Sequence, residues 1–309
     1  MFILSEPHFH NEAEAIARLE AIVWPDGPYC PRCGGFDRIT TVKGGRVGLR
    51  RCGPCKREFT VTVGTLFERS HIKLHLWFQA AHLMASSKKG ISAHQLHRTL
   101  TITYKTAWFM EHRLREAMRS GDLAPMGGAG GIVEADETFI GRKERSIKRR
   151  GHGHKNAVLS LVDRESKQVR SFHVDSVSAA ELVPIVKANV AKETAMMTDE
   201  WSGYYSLDDH FASHESVSHK ADEYVRGDVH TNTVEGYYSI FKRGMKGVYQ
   251  HCSEKHLHRY VSEFDFRYNE RSALGVNDET RADRLISGIV GNRLMYRDSS
   301  AAGDRMVVS

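Results

Sequence analysis

The apolar positions fall into three successive textures along the chain. In NEAEAIARLEAIV, 11–23, they recur at helical spacing behind an Asn suited to an N-cap, which predicts a short amphipathic helix. Turn-rich WPDGPYCPRCGG follows. The segments RITTVKGGRVGLRRC and REFTVTVGT, within 38–65, then alternate over short runs and predict small strands and hairpins. From Leu74 to about Met118 the period lengthens again. LHLWFQAAHLMASS reads as one helix, Gly90 breaks it, Ser92 can cap AHQLHRTL, and after Thr101 TYKTAWFMEHRLREAM reads as a longer helix. Short helix, turn and longer helix match a helix-turn-helix layout, which three packed helices without a DNA role would share.

GDLAPMGGAGG, 121–131, is small and nearly uncharged, and reads as a flexible linker. Beyond it the texture is α/β. IVEADETFIG, HKNAVLSLVDRE, KQVRSFHVDS and TAMMTD read as strands. SAAELVPIVKANVA, HTNTVEGYYSIFKRGMKG and KHLHRYVSEFDFRYNERSA read as helices. The expected segments are an N-terminal helix with a small cysteine-bearing module (1–66), a helix-turn-helix-like segment (67–122), the linker (123–131), an α/β domain (132–292) and a polar tail (293–309).

Composition narrows the classes. With 40% hydrophobic and 27% charged residues the chain is expected to be soluble and globular, and no apolar run approaches the ~18 residues of a membrane span. MFILSEPHFH lacks a basic start and a long apolar core, so no secretory signal is expected. The net charge of +6 suits a polyanionic partner. The charge concentrates in RKERSIKRRGHGHK, 142–155, with seven Lys or Arg, a stretch expected to be a solvated, mobile loop able to neutralise phosphates.

Four of the five cysteines form two CxxC pairs, Cys30/Cys33 and Cys52/Cys55, with 18 residues between them. That spacing predicts a four-thiolate, structural zinc ribbon in a reducing compartment. Cys252 is the leftover, expected to be an ordinary thiol.

Three acids carry the other candidate chemistry. Asp136 and Asp199 each end an apolar strand, and Glu235 lies in a helix, with 35 residues between it and Asp199. Each alone reads as a turn former, a cap or a solvent-facing residue. Together they offer hard oxygen ligands to a pair of divalent ions, the arrangement used for phosphodiester cleavage and transfer. Glu134 and Glu137 flank Asp136; by alternation Glu134 shares its face and Glu137 takes the other. Lys242 lies two helical turns beyond Glu235.

WPDGPYCPRCG, RCGPCKREFTVTVGTLFE, VEADETFIG, TDEWSGY, HTNTVEGYYSIFKRGMKGVYQH and HLHRYVSEFDFRYNER together resemble the DDE-type insertion-sequence transposases with an N-terminal zinc ribbon, over about residues 10–275. The resemblance implies an RNase H-like catalytic domain preceded by a zinc ribbon and a helix-turn-helix-like segment. It further implies Mg²⁺ (or Mn²⁺) at the active site, DNA as partner (element terminal inverted repeats and target DNA), no membrane, a homo-oligomer in the DNA complex and a nucleoid-associated location. It carries catalytic acids onto Asp136, Asp199 and the helix near His230, where Asn232 or Glu235 supplies the third ligand. With two-metal logic, Asp136 and Glu235 share one ion and Asp199 bridges both. Arg142, Lys143, Arg149, Arg150, Lys242, Arg243, Arg267 and Arg271 are the expected DNA contacts; for Arg267 and Arg271 helix-surface ion pairs are the alternative. Tyr237 and Tyr238 line the cleft or pack the core, and Trp201 packs beside the site. The rival readings are a zinc-ribbon regulator with an inactive RNase H-like domain and a nuclease that hydrolyses without strand transfer.

Overall fold

The computed structural model describes residues 3–119, 121, 124–148, 150–200, 202–217, 225–292 and 294. Arg149, Trp201 and nearly all of the tail lie outside them. Contacts divide the chain into two compact units: Met1–Ser87 with Ile91–Met118 and Val276–Ser309, and Lys88–Gly90 with Arg119–Gly275.

The first unit opens with α1 (Glu12–Val23), capped by Asn11, whose side chain accepts from the Ala13 amide at 2.8 Å. Strands β1 (Ile39–Thr41), β2 (Arg50–Cys52) and β3 (Glu58–Phe59) form an antiparallel sheet in that order. Helices α2 (Leu74–Ser86), α3 (Ala93–Leu100) and α4 (Tyr104–Ala117) follow. Lys73, before α2, makes no cap; the Glu12 carboxylate of α1 accepts from the Leu74 and His75 amides instead. Ser92 caps α3 as expected. Thr101 takes a left-handed conformation, and Thr103 caps α4, so a three-residue turn joins the two helices.

Both ends of the chain build this unit. Helix α8 (Asp278–Ser287), which the sequence segments assigned to the α/β domain, packs on α2 through buried Leu285 and Ile286. Arg281 donates from it to the Ala85 carbonyl at 3.2 Å. Beyond α8, the Ile289 carbonyl accepts from Leu66 at 3.1 Å. Gly288 admits this return, because a Cβ there would stand 2.1 Å from the Ala117 carbonyl oxygen.

The second unit is a five-stranded sheet ordered β6-β5-β4-β7-β8. Strands β4 (Ile132–Ile140), β5 (Asn156–Asp163) and β6 (Val169–Val174) form an antiparallel meander. Strands β7 (Ala195–Asp199) and β8 (Ser213–Val217) run parallel to β4 on its other side. This order and these directions are those of the RNase H-like fold expected from the sequence. Alternation divides the core. Val133, Ala135, Leu159, Leu161 and Met196 face α5 (Ala179–Asn189), with Tyr204 and Leu207. Val158, Val162 and Val169 face α6 (Asn232–Gly244) and α7 (Leu257–Asn269).

The glycine-rich stretch expected to be a free linker is docked over 126–131. Met126 pairs with Val190, and the Gly127 and Gly128 amides donate to Asp163 and Thr194. Gly127 is needed there, since a Cβ would fall 2.4 Å from the Thr194 hydroxyl. These backbone amides thus find partners where β5 ends and just before β7 begins.

Candidate active site

Two groups of candidate ligand side chains stand out, one in each unit. In the first, Cys30 follows a turn-rich segment and Cys52 ends β2. The Gly34 amide bonds back to Cys30 and the Lys56 amide to Cys52, both at 2.9 Å, so each CxxC closes a tight loop. The Cys30–Cys55 and Cys33–Cys52 sulfurs are each 3.7 Å apart, and all four Sγ atoms lie within 4.8 Å of one another. A tetrahedron with metal–sulfur bonds of about 2.3 Å has edges of about 3.8 Å, so the thiols fit zinc. Burial pushes the Cys30 thiol up, but the Arg32 and Cys33 amides and the neighbouring thiols outweigh it and bring it to about 7. At Cys52 the Cys55 amide lowers the thiol, yet burial and three neighbouring thiols push it up to about 12. Cys252 stands apart, donating to the Ser253 carbonyl.

The second cluster is set by strand register. Ile132, Val133 and Glu134 of β4 pair in parallel with Ala195, Met196 and Met197 of β7. Extending that offset by two residues brings Asp136 level with Asp199, where β7 ends. Level residues of neighbouring strands share a face. Met197 packs with Val217 and Val229 on the side opposite Met196, so Asp199 and Asp136 share the α6 side. Helix α6 buries Val234, Tyr237, Tyr238 and Phe241 there, at i, i+3, i+4 and i+7. Glu235, next to Val234, therefore emerges at the rim, exposed. The Tyr238 hydroxyl donates to the Asp136 carbonyl and ties helix to strand beside the acid.

Electrostatics record this convergence. Burial, then the Asp199 charge, lift the Asp136 carboxyl to about 7; Glu235 adds to the rise, while the Glu137 amide and Lys242 oppose it. Glu137, on the other face, is raised to about 8 by burial against a hydrogen bond from Tyr204, with Asp136 and Asp199 contributing. Among the described residues, only the cysteines draw three or more ligand atoms within 4.8 Å of one another. The carboxylates stand further apart, within reach of each other's charge. Hard oxygens crowded enough to oppose ionisation suit magnesium or manganese, whose charge relieves that repulsion.

The remaining expected residues separate. Lys242 lies over the Tyr238 ring at 5.7 Å and faces the cluster through its charge on Asp136. Arg243 is exposed and donates to its own helix at Ser239. Asn232 is exposed at the first position of α6, and Thr231 precedes it as N-cap. Arg142 and Arg150 are exposed. The expectation of a mobile basic loop is corrected at its two ends: the Lys143 amide bonds His154 at 2.9 Å, its ammonium the Asp175 carbonyl at 2.5 Å, and the Glu144 amide Glu254 at 2.8 Å. Arg267 is also corrected. It is buried, donates to Glu263 at 2.6 Å and lies over Phe264, so its charge is matched inside the fold. Arg271 bonds the Lys167 and Tyr268 carbonyls and stacks on Tyr268. Tyr237 and Tyr238 are core residues whose hydroxyls remain hydrogen-bonded.

Glu134 was passed over in the sequence as a neighbour of Asp136. It is fully buried, and its carboxylate accepts from the Thr233 and Val234 amides, the Thr233 hydroxyl and Arg164. No local signal identifies it, because its partners are 30 and about 100 residues away.

Residues 128–269 match the ISXO2-like transposase domain, and residues 10–58 match the transposase zinc-ribbon domain. An uncharacterised protein in the transposable element ISH50 of Halobacterium salinarum is 29% identical over 276 residues, 84% of this chain and 91% of that one. Among solved structures, the HTLV-2 integrase catalytic core domain in complex with magnesium aligns over 46% of this chain and 86% of its own, at 12% identity and a TM-score of 0.28. A chain of the simian T-cell lymphotropic virus intasome with B56 gamma covers 55% and 67%, at 13% identity and the same TM-score. The chain belongs to the family of transposases that pair an N-terminal zinc ribbon with an ISXO2-like transposase domain.

Proposed function

We propose that this transposase cleaves DNA at the ends of its insertion sequence and joins the freed 3′-hydroxyl to target DNA. The reading is supported by the strand register that sets Asp136 level with Asp199, and by the Asp136 carboxyl, which burial lifts to about 7 with the Asp199 and Glu235 charges adding to the rise and Lys242 opposing it. Asp136, Asp199 and Glu235 are the residues to hold Mg²⁺ or Mn²⁺, with Asn232 as a neighbouring contact. Divalent ions there supply an activated attacking oxygen and charge compensation for the leaving one. Lys242 meets the scissile phosphate as a point charge and counters the acids when they are ionised. Tyr238 fixes the height of β4 against α6 through the Asp136 carbonyl.

Arg142, Lys143, Arg150 and Arg243 neutralise neighbouring phosphates, and a contribution of that kind falls steeply with salt. In the first unit the exposed start of α4, Thr103 to Lys105, behind a tight turn, suits major-groove contact. Zinc on the four thiols stiffens that unit. Paired element ends call for two or more copies of the chain in the DNA complex, and free thiols suit the reducing cytosol. Among the described residues no helix is long and apolar enough to cross a membrane.

Labelled element-end DNA incubated with Mg²⁺ and a target plasmid tests the reading. Nicked ends joined to the plasmid by the parent protein, and neither product from Asp199→Asn, are the expected results. Nicking without joining would leave a nuclease; binding without nicking would leave a regulator.

A further inference from the structure

Helix α6 does not cap itself. Thr231, its N-cap residue, makes no side-chain capping bond, and the second and third amides, Thr233 and Val234, donate instead to one oxygen of Glu134, each at 2.9 Å. The other oxygen of Glu134 accepts from the Thr233 hydroxyl at 2.8 Å and from Arg164 Nε at 2.6 Å. Arg164 spends its remaining donors on the approach to the same helix. Nη1 reaches the Asp228 carbonyl at 2.6 Å, and Nη2 reaches the His230 carbonyl at 2.7 Å and its ring Nδ1 at 2.8 Å. A guanidinium only donates, so Nδ1 of His230 is an acceptor and the 3.3 Å approach of that atom to Glu134 is not a hydrogen bond.

A buried carboxylate is costly unless it is paired and hydrogen-bonded. Here it is both, and its negative charge sits at the positive end of the α6 dipole. The location gives this anchor a consequence. Glu134 stands two residues before Asp136 on the same face of β4, about 7 Å along the strand. The last amide it holds, Val234, immediately precedes Glu235. One strand thus carries an active-site acid and the group that sets the height and rotation of the helix bearing another.

We propose that Glu134, with Arg164, is a positioning pair for the active site: it docks the first turn of α6 so that Glu235 meets Asp136 and Asp199 at the separation divalent-ion binding needs. This rests on the functional reading above for its consequence, though not for its geometry. The test uses the full chain with Glu134→Gln, which keeps size and one acceptor but loses the charge, and with Thr233→Val, which removes a single hydroxyl donor.

Three measurements are made: amide hydrogen exchange without metal, binding of element-end DNA, and the Mg²⁺ concentration for half-maximal cleavage. Glu134→Gln is expected to speed exchange at Thr233 and Val234 while amides of β5 keep their protection. It should leave DNA binding unchanged and raise the Mg²⁺ requirement about 10- to 100-fold, the scale on which supporting groups act at metal sites. Thr233→Val should move both quantities the same way by a few-fold, and it serves alone if Glu134→Gln does not fold.

Unchanged exchange at Thr233 and Val234, or an unchanged Mg²⁺ requirement in a parent that cleaves, overturns the proposal. So does equal loss of protection across β5, which would make Glu134 a general stabiliser. If the parent does not cleave at all, the functional reading fails, and the exchange result alone decides whether the docking exists.

Discussion

The two groups of candidate ligands differ in how far they are drawn together before any ion arrives. The four thiols already stand near the corners of a zinc tetrahedron, with pairs at 3.7 Å. Thiols are neutral when protonated and pack at that distance without penalty. The carboxylates near Asp136 remain further apart, and their crowding shows instead as a carboxyl raised to about 7. A closed site of soft ligands is suited to permanent occupancy, and an open site of repelling hard ligands to ions that come and go with substrate.

Removing a ligand should therefore have opposite effects on stability at the two sites. The largest effect is expected from Cys52→Ala. It should abolish stoichiometric zinc and unfold β1 to β3, because zinc binding in such modules contributes about 10 kcal/mol or more to folding. Zinc content by mass spectrometry and the circular dichroism melt check this, and full zinc in the variant would break the comparison. Asp136→Asn should reduce cleavage by at least about 1,000-fold. Without magnesium at pH 8 it should nevertheless melt at or above the parent's temperature, since a carboxylate whose ionisation is opposed by burial and by the Asp199 charge becomes a neutral amide, a gain on the order of 1 kcal/mol or more. A variant that melts several degrees lower would mean that Asp136 is chiefly structural.

Asp265 sharpens the contrast, because it is a raised acid held by hydroxyls and an amide. Burial lifts it to about 6, against hydrogen bonds from Tyr237 at 2.6 Å and from the Ser171 hydroxyl and amide, both at 2.7 Å. Its folded value lies above the unfolded 3.8, so the protonated form favours the fold. The stability it contributes is complete below 3.8 and is lost as pH rises through about 6. Relative to Asp265→Asn, the parent should lose on the order of 2 kcal/mol between pH 4 and 7, measured by urea unfolding with and without magnesium. Magnesium should not alter that difference; a change on adding it would place Asp265 in the metal site.

The elements legible in the sequence were those whose signals are local. The CxxC spacing identifies zinc because two short loops supply all four ligands. Alternation in VEADETFIG and AMMTD gives the strands, and the Ser92 and Asn11 caps mark helix starts. Asp136 and Asp199 could be named from the resemblance, but what sets them level is the register of two strands 63 positions apart. Long-range pairing hid the rest. The partners of Glu134 are hidden until α6 is laid over β4, α8 reveals its place only by packing on α2, and the basic loop looks free until Asp175 and Glu254 arrive to hold it. Arg267 misled for the same reason: a charged residue at helical spacing reads as surface until its neighbours bury it.

The smallest expected effect concerns the third ligand. Asn232 and Glu235 are both exposed, three residues apart on the first turn of α6. Only Glu235 brings a charge, and that charge already acts on Asp136. An amide oxygen can coordinate a hard cation but cannot offset its charge, so two aspartates and an asparagine would hold the ion more weakly than three carboxylates. Asn232→Ala is therefore expected to lower the cleavage rate by no more than about 5-fold at saturating Mg²⁺, whereas Glu235→Gln, which keeps an oxygen donor of the same length, should lower it by about 100-fold or more. Comparing both in Mg²⁺ and Mn²⁺ decides between them. If Asn232→Ala is the more damaging, the fourth amide of the helix rather than the first would mark the supporting position, and Glu134, which docks the turn between them, would be aligning an amide ligand instead of a carboxylate.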